Sequence, residues 1–194
     1  MKIVFATHNT NKFKEVKALV PTTITLVSLT DIGCFDDIPE TADTIEGNAI
    51  QKASYVTEKY NLPCFSDDTG LLVNALNGEP GIYAARYAGE QKSAEDNMAK
   101  LLHKLGDNPN REAHFKTVIA LHINGEQHIF TDVVNGVITK GKQGTDGFGY
   151  DPIFTPEGYS QTFAQLPLNT KNKISHRAKA TQQLISFLKQ YNNG

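Results

Sequence analysis

The chain has 194 residues, 39% hydrophobic and 21% charged, with a formal net charge of −2 and no tryptophan. That composition excludes a disordered or fibrous protein, and so small a charge gives no global sign of a nucleic-acid binder. No apolar run nears the roughly 20 residues of a membrane span, and Ile3-Val4-Phe5-Ala6 after Met1-Lys2 is too short an apolar stretch for a signal peptide.

Lys2 to Thr7 reads as a buried strand, Ile3-Val4-Phe5-Ala6 at its centre, that breaks at His8-Asn9-Thr10-Asn11. Phe13, Val16, Leu19 and Val20 recur at helical spacing, which predicts a short amphipathic helix over 11–20, stopped by Pro21. Ile24 and Leu26 predict a second strand to about residue 29. Thr44 can cap a helix that buries Ile45, Ala49, Ala53 and Val56 and ends near Tyr60-Asn61. Pro63 opens a strand through Ser66 that meets Asp67-Asp68-Thr69-Gly70, and Leu71 to Val73 continues extended to a turn at Asn77-Gly78. Residues 93–105 predict a helix with Met98, Leu101, Leu102 and Leu105 inward. Segments 114–123 and 127–134 predict a hairpin through Asn124-Gly125, followed by a strand at Val137-Ile138. The last helix, over 174–191, aligns Ile174, Ala178, Thr181, Ile185 and Leu188 in one stripe. One mixed α/β domain over residues 1–194 is expected, a central sheet with helices on both sides.

Four segments carry chemistry. Adjacent carboxylates at Asp67-Asp68 raise each other's pKa unless a cation neutralises them. Mg²⁺ takes one or two carboxylates and leaves the rest to water and phosphate oxygens, and a carboxylate beside it can orient or deprotonate water. An Asx-type turn, with both side chains bonded to the backbone, is the alternative. Thr7-His8-Asn9-Thr10-Asn11-Lys12 has the layout of a strand–loop–helix anion site, with free N–H groups and Lys12 at the helix start; a plain cap by Thr10 or Asn11 is the other reading. Gly144 to Pro152 sets three glycines around two aromatics, suited to close ligand approach and ring stacking, or to a long turn plugging the sheet. Ser175-His176-Arg177 opens the last helix, where cations oppose the helix dipole and a functional reason is favoured.

Charge is segregated: Asp31 to Glu46 holds six acidic residues and no basic one, while from Gly158 onward there is no acidic residue. A cleft for a metal and a polyanion would need such a division; two solvated faces would also produce it. Cys34 and Cys64 have no metal-site spacing and read as reduced thiols, so a cytoplasmic protein is expected.

Taken together, Thr7 to Lys12, Pro39-Glu40-Thr41, Asn48-Ala49 with Lys52-Ala53, Ser66 to Leu71, Pro80 to Tyr87, Gly147 to Pro152 and Ser175-His176-Arg177 resemble the inosine/xanthosine triphosphate pyrophosphatase family. The resemblance implies cleavage of XTP, ITP and dITP to monophosphate and pyrophosphate, a Mg²⁺ requirement, and a homodimer with no membrane or nucleic-acid partner. It implies an elongated mixed sheet flanked by helices, two lobes with the active-site cleft between them. By the same resemblance Thr7, His8, Asn9, Thr10, Asn11 and Lys12 hold the triphosphate and Glu40 and Asp68 bind the metal. Asp68 accepts a proton from water, and Thr69 touches substrate. Phe148, Gly149, Tyr150, Asp151, Lys171, His176 and Arg177 form the base pocket. The chain departs from the family pattern with His8 at a frequent glycine and Gly47 at a frequent glutamate, Glu46 standing one position earlier. Asp67 is expected to support the site. A pyrophosphatase for other modified nucleotides and a nucleotide sensor without turnover are the competing readings.

Overall fold

The computed structural model describes residues 1–191. Its elements run β1 (Lys2–Phe5), α1 (Thr10–Lys17), β2 (Thr25–Val27), α2 (Ile45–Tyr60), β3 (Cys64–Val73), β4 (Pro80–Gly81), α3 (Ala94–Leu105), β5 (Glu112–Ile123), β6 (Glu126–Ile138), β7 (Phe154–Pro156), α4 (Leu168–Ile174) and α5 (His176–Tyr191). The strands form one mixed sheet in the order β2-β1-β3-β5-β6-β7, with β4 paired to β3. β1 is parallel to β2 and β3, while β4 on β3 and β7 on β6 are antiparallel. By its contacts the chain divides into two compact units, one of Met1–Asp68, Thr117–Asp132 and the segment from Arg177, the other of Thr69–Lys116 and Val133–His176.

In the first unit β1 is buried on both faces, as expected of a parallel strand between neighbours. The period-2 alternation of a strand sends Ile3 and Phe5 into a cluster with Val16 of α1, Phe65, Ile119, Leu121, and Ala180 and Leu184 of α5. Val4 and Ala6 face the other way, into Val27, Leu29, Cys34, Cys64 and Val56 of α2. Helices therefore cover both faces of the sheet here. α2 starts where Thr44 Oγ1 accepts the Gly47 N–H at 2.9 Å and ends at Asn61, in the left-handed region at φ 52°. A Cβ on Gly47 would stand 2.6 Å from that of Ala42, so glycine lets the Thr41–Asp43 segment cross this close to the helix.

The second unit has its own core of Leu71, Val73, Met98, Leu101, Leu105, Phe115, Ile138, Ile153, Phe154, Phe163 and others, with Phe115 edge-on to Phe154 at 4.7 Å.

Four expectations change. β3 is a single ten-residue strand, so Asp67 and Asp68 lie within it and not at its end. β6 likewise runs unbroken to Ile138. The last helix, α5, starts at His176 and not at Ile174, because Ser175 is extended at φ −69°, ψ 151°, and a further short helix, α4, precedes it. α1 stops at Lys17, short of residue 20, and is capped by Asn9 instead of Thr10 or Asn11.

Candidate functional site

The alternation of β3 decides the fate of the acidic pair. Adjacent residues of a strand point to opposite faces, so Asp67 goes with Phe65 toward α1 and α5, and Asp68 goes with Ser66 toward α2. Ser66 Oγ donates to the Ala49 carbonyl on α2. Asp68, 9% exposed, accepts from Lys52 Nζ at 3.1 Å, and the same ammonium bonds Glu40. Lys52 reaches this place because it lies on the buried stripe of α2 with Asn48, Ala49 and Ala53. Glu40 is steadied by its neighbour: Thr41 N–H donates to Gln51 Oε1 and Gln51 Nε2 to Thr41 Oγ1, both at 2.9 Å.

Asp67, 1% exposed, takes a different set of cations. Its Oδ1 accepts from Lys12 Nζ at 3.1 Å and its Oδ2 from Arg177 Nε at 2.9 Å, while Arg177 Nη1 reaches Glu15 Oε2 at 2.7 Å. Glu15 and Lys12 are one turn apart on α1, so the ion pairs run as a chain from Lys12 through Asp67 and Arg177 to Glu15, joining α1, β3 and α5.

The two carboxyls titrate in opposite directions. Burial alone would raise Asp67, but the Lys12, Arg177 and Lys52 charges hold it well below the usual carboxylate range. Burial raises Asp68 above its ordinary value, against the pull of Lys52 and Lys12 and with help from Glu40. Burial lowers Lys12, with Asp67 opposing. Burial would also lower Lys52, yet Asp68 and Glu40 carry it above its usual value. The Asx-turn alternative is thereby replaced by two separately paired strand carboxylates.

The loop ahead of α1 differs from expectation. Asn9 Oδ1 accepts from the Asn11 N–H at 3.0 Å and the Lys12 N–H at 3.1 Å, and Thr7 Oγ1 accepts the Asn9 N–H at 3.2 Å. Those backbone donors, expected to face an anion, are occupied by the cap. What this end of α1 presents are the exposed side chains of Asn9, Thr10 and Asn11, the Lys12 ammonium and the positive end of the helix. His8 turns to the main chain of Asp36.

In the second unit the Gly147–Asp151 turn is closed by Asp151, whose Oδ2 accepts the Phe148 N–H at 2.8 Å and Lys171 Nζ at 2.6 Å. Gly147 has φ 77° and a Cβ there would run into that carboxylate, so the turn requires glycine. Lys171 Nζ lies 5.0 Å from the Phe148 ring centroid. Tyr150 is buried and donates its hydroxyl to the Ala84 carbonyl at 2.8 Å, which makes it a brace of the turn and not a surface for stacking. His176 is buried with its ring stacked on Phe115 at 4.6 Å. Phe148, Asp151 and Lys171 are thus brought together. Gly149 keeps φ positive at 64° in the same turn, and Thr69 is half-buried on β3.

Lys52 and Glu15 were missed in the sequence. A charged residue on the apolar stripe of a helix is the signal for Lys52, since such burial is tolerated only with a partner. Glu15, beside Val16 and three residues from Lys12, had a weaker one. Glu46 lies exposed on α2.

No three or more His, Cys, Asp or Glu side chains gather as a metal cage among the described residues. Mg²⁺ asks for less: one or two carboxylates suffice. Glu40 and Asp68 share one ammonium, so the point between them favours a cation, and the donor set fits.

Paired strand carboxylates held by lysines, beside a polar loop opening a helix, define an α/β protein built to handle a polyanion. The chain belongs to the Ham1 family, which it matches over residues 3–187. It is 63% identical to a dITP/XTP pyrophosphatase of Flavobacterium johnsoniae, over 97% of this chain and 98% of that one. It is 49% identical to one of Porphyromonas gingivalis, over 96% and 97%. The solved structure of the Staphylococcus aureus Ham1 protein superposes with a TM-score of 0.90 at 42% identity, covering 98% of this chain and all of that one (100%).

Proposed function

We propose that the chain hydrolyses the non-standard purine nucleoside triphosphates dITP, XTP and ITP to the monophosphate and pyrophosphate. The observation that carries this reading is the split of the acidic pair, one carboxylate locked between Lys12 and Arg177 and the other held by Lys52 together with Glu40. Full-length kinship to dITP/XTP pyrophosphatases supplies the substrate class. Glu40 and Asp68 would hold Mg²⁺, which supplies positive charge against the phosphate oxygens. Asp68, raised by burial, accepts the proton of the attacking water. Lys12 and the side chains of Thr7, Asn9, Thr10 and Asn11 meet the triphosphate, and Thr69 touches substrate. Asp67 takes no proton; it fixes Lys12.

Base choice follows from hydrogen-bond polarity. Hypoxanthine and xanthine carry an acceptor oxygen at C6 where adenine carries a donor amine. Lys171 and His176 as donors pair with that oxygen and are left costly against adenine, a difference that can reach ~10⁴-fold. The Phe148 ring offers an apolar face to the base. A homodimer in the cytoplasm belongs to the same reading.

The test is a panel of dITP, XTP, ITP, dATP and GTP, with Mg²⁺ or EDTA, followed by ³¹P NMR. Pyrophosphate and monophosphate from dITP and XTP, with Mg²⁺ only, are expected. Orthophosphate as first product, or equal rates on dATP, would overturn the reading. Light scattering on the eluted protein checks the dimer.

A further inference from the structure

His8 stands in the loop that meets the triphosphate, yet its side chain is turned away along the protein surface. Its Nε2–H donates to the main-chain carbonyl of Asp36 at 2.9 Å, across 28 residues of sequence. On either side of His8 the loop has other restraints. Ala6 N–H is bonded to the Phe65 carbonyl of β3, and Asn9 caps α1. Between them Thr7 N–H bonds the Phe5 carbonyl at 2.8 Å, and the imidazole ties the loop to the Asp36 segment.

The acceptor is itself anchored. Asp36 Oδ2 accepts from Lys59 Nζ at 2.6 Å and from the Cys34 thiol at 3.6 Å. Lys59 lies near the last turn of α2, over the rings of Tyr55 and Tyr60 at 5.6 and 5.7 Å. Hydrogen bonds from Lys59 and Tyr55 hold the Asp36 carboxylate below its usual range. An exposed ion pair alone contributes little; here it is one of several contacts converging on one side chain.

We propose that His8 is a positioning residue whose hydrogen bond to the Asp36 carbonyl holds the Thr7–Lys12 loop in its anion-binding conformation, with the Asp36 carboxylate, held by Lys59 of α2, as the remote anchor. The proposal rests on the phosphate-binding reading of that loop. Ordering an exposed loop costs conformational entropy when a ligand binds, and a restraint made beforehand removes part of that cost. The gain therefore falls on substrate binding.

Two variants separate the latch from a direct phosphate contact. His8→Ala removes the donor. Asp36→Ala removes the anchor while leaving the carbonyl in the chain. One hydrogen bond of ordinary strength corresponds to a rise in KM for dITP of about three- to tenfold, with the change in KM exceeding that in kcat. Asp36→Ala is expected to raise KM in the same direction, the double variant to be no worse than the poorer single one, and His8→Gln to restore most of the loss. A ligand-free measurement keeps this distinct from the functional reading: hydrogen exchange at the Asn9, Asn11 and Lys12 amides should quicken in both single variants. Absence of dITP turnover by the unmodified chain would sink the functional reading and leave the exchange result standing. The latch is overturned if Asp36→Ala keeps the unmodified KM and exchange rates, if the two effects multiply, or if His8→Gln behaves like His8→Ala.

Discussion

Replacing Arg177 by Met tests the chain of ion pairs where it is most buried. The guanidinium donates to Asp67 at 2.9 Å and to Glu15 at 2.7 Å, and the three side chains are 4%, 0% and 10% exposed. Methionine keeps the length of the side chain and its packing but removes the cation. Lys12 still faces Asp67 at 3.1 Å, yet Glu15 loses the guanidinium 2.7 Å away in a site with little water. Breaking a buried pair by removing one partner costs about 3–5 kcal/mol, because the remaining charge keeps its desolvation penalty. For a chain of this size that corresponds to a fall in Tm of ~6–20 °C. Adding Glu15→Gln removes one stranded charge, so the double variant should be more stable than the sum of the single losses. Urea unfolding followed by circular dichroism, with calorimetry for Tm, measures both. A loss below about 1 kcal/mol for Arg177→Met would mean that these ion pairs are solvated and that this account of Asp67 is wrong.

Asp68→Asn should fold normally, since Asn keeps the shape and Lys52 keeps Glu40, while kcat on dITP falls by about 10²–10⁴-fold; near-normal turnover would remove Asp68 from the chemistry. Acid should destabilise the protein through Asp67: its folded pKa lies below the unfolded value, so its contribution is present above about pH 4 and is lost as pH falls toward the folded value. Unfolding free energy measured from pH 5 to 2.5 should therefore drop less steeply in Asp67→Asn than in the unmodified protein. Cys34 and Cys64 are both buried, and burial pushes the Cys64 thiol well above its ordinary value. Neither should react with a disulfide reagent until denaturant is added, and rapid labelling of Cys64 in the native state would contradict its placement.

Much of the fold was legible because the signals are local. Ile3 to Ala6, the Thr44 cap, the stripe of Ile45, Ala49, Ala53 and Val56, and the Asn124-Gly125 turn each express a period or a dihedral preference within a few residues. The short helix α4 was not legible, since Leu168–Ile174 is mostly polar and carries no apolar period, and the extended Ser175 that parts it from α5 leaves no mark that periodicity can register. The free N–H groups assigned to the first loop were misread for a similar reason: Asn9, Thr10 and Asn11 can each cap, and only the closed geometry selects Asn9.

By itself the sequence determined that Asp67 and Asp68 are adjacent, that Lys12 and Arg177 stand at helix starts, and that the motifs occur in the order of one family. Those are facts of spacing, and spacing suffices to name a chemistry. Which carboxylate meets which cation was decided only by tertiary structure. β3 continues through the pair, so its pleat turns Asp67 to α1 and α5 and Asp68 to α2. Lys52 enters because the buried face of α2 lies against that second side, and Glu15 because Arg177 comes from 162 residues away. Burial raises both carboxyls, and the Lys12 and Arg177 charges beside Asp67 then pull it down, which separates the titration of two chemically identical groups. Ion pairing and desolvation depend on distance in space, and a linear chain does not carry that distance until it has folded.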